Sequence, residues 1–148
     1  MKKILLCILI SFLWHIAKAQ KMSLDIIGTA PDFNYTTISD YENQKVANNA
    51  IRLKVDTKRK NFQIGFRSDG PIKTNSGQSI PAEKFSIRIH NTIPLIPLSS
   101  TNDQHLISNN RKDKDEETYY LDFIVAPLYF DYDPGSYVVN ILFTLTSD

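Results

Sequence analysis

Apolar and polar residues alternate along most of the chain beyond residue 20. Met22, Leu24 and Ile26 share one face of a first run. Ile51, Leu53 and Val55 alternate with Arg52 and Lys54, and Phe62, Ile64 and Phe66 with Gln63 and Arg67. Phe85, Ile87 and Ile89 follow, with Ser86, Arg88 and His90 opposite; Tyr119, Leu121, Phe123 and Val125 leave Asp122 pointing outward. The last run is the longest, with Tyr137, Val139, Ile141, Phe143 and Leu145 on one face and Asn140, Thr144 and Thr146 on the other. A period of two in β-branched and aromatic residues predicts half-buried strands. Six such runs and no convincing helix predict an all-β protein, a sandwich of two antiparallel β-sheets.

Polar punctuation separates these runs. Asp56-Thr57-Lys58-Arg59-Lys60-Asn61 is short enough for a hairpin, and Asp69-Gly70-Pro71, Asn75-Ser76-Gly77 and Asp133-Pro134-Gly135 are turn signals. Ile93 to Leu98 carries Pro94 and Pro97, which restrict it to a sheet edge or an irregular connection. Ser99 to Asp103 and Asn109 to Glu117 read as polar loops, and residues 28–50 have the weakest periodicity.

The N-terminus has a different pattern. Lys2 and Lys3 precede an apolar run from Ile4 to Ile16, and Ala17-Lys18-Ala19 supplies the small residues of a cleavage site. Residues 1–19 therefore read as a secretory signal peptide, with residues 20–148 as one β-sandwich domain in the periplasm, at the cell surface or outside the cell. No later stretch approaches the ~20 apolar residues of a membrane helix, so no membrane span is expected after signal removal. Cleavage would leave 14 basic and 16 acidic residues, a formal charge of −2 that recruits no nucleic acid. Cys7 and Trp14 would leave with the signal, so packing rather than a disulfide must stabilise the domain.

The candidate chemistry is sparse. Without a thiol or a G-x-S-x-G pattern, His90 and His105 read as solvated surface residues, and no catalytic residue, cofactor or metal ligand is assigned. Asp113, Asp115, Glu116 and Glu117, with Asp131 and Asp133, offer the oxygen ligands calcium prefers, but interleaved Lys112 and Lys114 and the missing glycine do not fit an EF-hand. Tyr120, Tyr129, Phe130 and Tyr132 could stack on sugar rings or simply cover one end of the sandwich.

The turn Gly135-Ser136-Tyr137 leading into a closing strand that ends "FTLTSD" resembles the C-terminal strand of small secreted bacterial surface proteins, the spore-coat-U-like and archaic chaperone-usher pilin subunits. That resemblance implies an incomplete Ig-like sandwich completed by the N-terminal strand of the next subunit. Met22, Leu24 and Ile26 would then be the donor strand; alternatively they form the first strand of their own domain. The expected function is that of an exported, non-enzymatic, fimbria-like structural or adhesion subunit with protein partners or self-assembly. The alternative is a secreted carbohydrate-binding module with a glycan ligand.

Overall fold

A computed structural model describes residues 22–29, 31, 33–73, 76–109, 115–133 and 135–147. The expected signal peptide, with its cleavage site, and Asp113 lie outside the described residues. In chain order the strands are β1 (Ser23–Gly28), β2 (Asn34–Tyr35), β3 (Lys45–Asp56), β4 (Phe62–Ser68), β5 (Ile72–Lys73), β6 (Ser79–Ile80), β7 (Phe85–Ile89), β8 (Ile96–Pro97), β9 (Gln104–Asn109), β10 (Glu116–Val125), β11 (Gly135–Ser136) and β12 (Ile141–Ser147). One short helix, α1 (Ile38–Glu42), and a 3₁₀ turn at Ala82–Lys84 interrupt them.

The protein is all-β and antiparallel. A five-stranded sheet of order β1-β3-β10-β7-β8 and a three-stranded sheet of order β12-β4-β9 enclose one core, and two small ribbons, β11-β2 and β5-β6, lie beside them. The first sheet contributes Leu53, Val55, Ile87, Leu121 and Val125 to that core, and the second contributes Phe62, Ile64, Phe66, Leu106 and Ile107. Alternation is what allows each strand to present these residues inward while Lys54, Arg67 and Arg88 stay at the surface side.

Three sequence expectations change, and one strand, β9, lies outside the predicted runs. The link from Thr57 to Asn61 is not a hairpin: β3 pairs with β1 and β10, whereas β4 pairs with β12 and β9, so the turn carries the chain from one sheet to the other. Lys58 and Arg59 both take positive φ there, and Thr57, fully buried, accepts the N–H of Lys60 at 3.0 Å. Helix α1 arises where the pattern is weakest. Its N-cap Thr37 and Asp40 bond reciprocally in a capping box, which supports a single turn without any apolar periodicity.

Strand β9 breaks alternation because Leu106 and Ile107 are consecutive and both buried, at a register shift opposite Ile64 and Gly65. The final run is likewise divided. Only Ile141–Ser147 pairs continuously with β4, while Val138 bridges Lys73 and Tyr137 packs against Tyr35 with ring centroids 5.2 Å apart. Within β12 the inferred facing holds: Phe143 packs on Phe66 at 6.3 Å, and Thr144 is exposed.

Candidate functional site: an open groove and a buried carboxylate

Strand β1 pairs antiparallel with β3 over its whole length, from Ser23 opposite Asp56 to Gly28 opposite Ile51. Here Met22, Leu24 and Ile26 belong to the first strand of their own sheet. Leu24 lies opposite Val55 and Ile26 opposite Leu53, so both face inward with those buried partners. Met22 and Leu24 pack on the core, but Ile26 remains 50% exposed. The cause is the unequal width of the two sheets, five strands against three. Beside Ile26 an apolar groove of about 400 Å³ opens, lined by Phe33, Ile51, Phe123, Ile141 and Phe143 among others. Both β1 and β12 end their sheets, so among the described residues each has one backbone edge without a neighbouring strand.

Aromatic rings cluster around Tyr137, which lines this groove. Tyr35 lies 5.1 Å from Tyr41 and 5.2 Å from Tyr137, centroid to centroid, and Lys45 Nζ stands 4.4 Å above the Tyr35 ring. Lys45 also pairs with Asp40 at 2.9 Å; together with N–H bonds from Thr36 and Thr37 it holds that carboxyl well below the usual carboxylate range. Burial pushes the Tyr35 phenol up to about 12, and burial likewise raises Tyr137. Phe130 stacks on Tyr41 at 6.0 Å and, with Tyr129, remains exposed. Tyr120 does not join them. It lies within β10, opposite Arg52, five residues before the strand ends.

On the other face of the five-stranded sheet lies a polar cluster that alternation alone does not disclose. Asp122 points away from the core, as its phase requires, yet its side chain is fully buried. The reason is an irregularity in β3: two residues of β10, from Leu121 to Phe123, span four of β3, from Ile51 to Ala47. Within the bulge Asn49 adopts φ +51, a conformation Asn tolerates, and donates its N–H to Asp122 Oδ1 at 2.9 Å. Arg88 Nε donates to Oδ2 at 2.8 Å, and His90 Nδ1 lies 2.7 Å from Oδ1. Burial pushes this carboxyl up, but the bonds from Asn49, Arg88 and His90 outweigh it, so Asp122 lies below its ordinary value and is ionised near neutrality. An ionised carboxylate only accepts, so His90 carries its proton on Nδ1 and keeps Nε2 for another partner. His90 is therefore an anchored residue, contrary to the solvated reading, and the Arg88/His90 spacing on β7 opposite Asp122 was its signal.

Four of the acidic residues weighed as calcium ligands are used locally. Asp115 pairs with Arg59 at 3.0 Å and Glu116 with Lys54 at 2.9 Å, while Glu117 accepts from Asn109 and Tyr119. Asp133 accepts from the Ser76 hydroxyl. His105 is exposed on β9, opposite Gly65. Among the described residues no three His, Cys, Asp or Glu side chains converge as metal ligands, and no helix is long and apolar enough to cross a membrane. No family model, curated protein or solved structure matches the chain.

Proposed function

We propose that the protein is an exported, non-enzymatic cell-surface or fimbria-like subunit with an Ig-like sandwich, working through strand-mediated contact with another protein or another copy of itself. The supporting observation is the groove between Ile26 of β1 and Ile141 and Phe143 of β12. An extended segment laid beside β12 would pair its free edge and cover apolar side chains that the narrower sheet leaves open. The donor strand in this reading is Met22, Leu24 and Ile26 of a neighbouring subunit. Strand β1 suits exchange because it buries little: of its six residues only Leu24 is even partly enclosed.

Mixing a variant that lacks residues 20–27 with labelled intact protein tests the exchange. Capture of the intact chain by the deletion variant, and a ladder of oligomers in size-exclusion chromatography, is the expected result. Val138→Asp, at an exposed position lining the groove, should abolish the ladder while leaving the melting transition in place. An intact protein that stays monomeric at high concentration and captures nothing would overturn the reading.

A second reading, a secreted carbohydrate-binding module, is favoured by Tyr120. This residue is 47% exposed on the outer face of the five-stranded sheet, next to Arg52.

A further inference from the structure

The outer face of the five-stranded sheet carries a continuous row of side chains across four strands. Ile27 of β1 lies opposite Arg52 of β3, and Arg52 lies opposite Tyr120 of β10. His90, just past the end of β7, donates its main-chain N–H to the Tyr120 carbonyl at 2.8 Å and so extends the row. These residues, with Asn49 and Gly28, line a depression of about 500 Å³. Neighbouring strands are about 4.8 Å apart, so Arg52 and His90 flank Tyr120 at roughly equal distances on either side.

Two members of the row carry polar groups that no described residue engages. Arg52 is exposed and has no ion pair or hydrogen bond among the described residues. His90 is fixed from below by buried Asp122, which leaves Nε2 as its remaining polar atom. The bulge at Asn49 and the close approach of Gly28 to Ala50 shape the wall of the depression: a Cβ at Gly28 would stand 2.7 Å from the Ala50 oxygen. Asp122 is already paired with Arg88, and no carboxylate lines the depression to offset the guanidinium of Arg52. A guanidinium beside an aromatic ring and an imidazole Nε2 matches three features of one ligand class: a carboxylate for Arg52, an apolar sugar face for Tyr120 and a hydroxyl for Nε2.

We infer that the Arg52–Tyr120–His90 row is a binding site for an acidic saccharide, a pyranose bearing a carboxylate. This inference rests on the carbohydrate-binding reading and makes it specific; it is separate from the groove between β1 and β12, since Arg52, Tyr120 and His90 face the opposite side of the sheet and none of the three lies on β1.

The test is titration of the ¹⁵N-labelled protein with trigalacturonate, with galactotriose as the neutral counterpart and acetate as a lone carboxylate. Trigalacturonate should shift the amides around Arg52, Asn49 and Tyr120, galactotriose should bind about tenfold or more weakly, and acetate should not compete at equal concentration. Arg52→Ala and Tyr120→Ala, both at exposed positions, should each weaken trigalacturonate about tenfold with unchanged melting. Arg52→Lys should recover only part of the loss, because an ammonium cannot form the bidentate pair. Equal binding of galactotriose, dependent on Tyr120 but not on Arg52, would overturn the acidic class and keep the carbohydrate reading. Absence of binding by both saccharides would overturn both.

Discussion

The main-chain N–H of Asn49 reaches Asp122 Oδ1 at 2.9 Å, tying an irregular turn of β3 to a buried carboxylate on the neighbouring strand. The same carboxylate holds Arg88 and His90, so one side chain joins three strands on the outer face of the sheet. Removing it would leave three donors without their acceptor. Asp122→Ala should therefore lose about 3–5 kcal/mol of stability, whereas Asp25→Ala on exposed β1 should stay within about 0.5. Urea unfolding of the two variants measures the contrast.

The same geometry sets an acid limit. Asp122 and Asp40 both lie below their ordinary values when folded, so each contributes stability that is fully present above the unfolded value of about 3.9 and is lost as pH falls through the folded one. The urea midpoint should fall progressively as pH drops below about 4. In Asp122→Asn that decline should be shallower, because one of the linked protonations, which also include those of Asp40 and of Asp56 beside Lys58, is gone. An unchanged slope would mean that Asp122 is not the linked group.

Gly28 has φ +135, and an added Cβ would meet the Ala50 oxygen at 2.7 Å. Gly28→Ala should therefore loosen β1 from β3 while leaving the centre of the sheet alone. Amide exchange reads this directly: residues 23–28 should lose protection, and those of β10 should keep it.

Two tyrosines of one cluster should respond oppositely to loss of the hydroxyl. The Tyr137 hydroxyl donates to the Asp133 carbonyl at 2.6 Å, whereas the buried Tyr35 hydroxyl has no partner among the described residues. Tyr137→Phe should cost about 1 kcal/mol, and Tyr35→Phe should be neutral or stabilising. Thermal melts of the two variants, run side by side, decide it.

Phe143 points inward against Phe66 but is only partly buried, at the groove. Phe143→Ala should cost about 2 kcal/mol, below the ~3–5 of a fully enclosed phenylalanine, and Thr144→Ala far less. Equal losses would place the facing of β12 one residue out of register.

Alternation by itself determined that this chain is built of antiparallel strands, and it determined which way most side chains face. Leu53, Val55, Phe62, Ile64, Phe66, Ile87 and Leu121 are all buried as their phase requires, because period two is a local property of an extended backbone. Where the backbone leaves that period the pattern is silent. Strand β9 is hidden by the consecutive Leu106 and Ile107, and α1 is a single turn resting on the Thr37–Asp40 capping box. Only the tertiary structure decided sheet membership. A turn such as Thr57–Asn61 can close a hairpin or cross between sheets, and the partners that distinguish the two, β1 and β10 for β3 and β9 and β12 for β4, are remote in sequence. Asp122 shows the same limit at one side chain. Its phase said outward, which is correct, but its burial depends on a bulge 73 residues earlier in the chain, and no local pattern carries that distance.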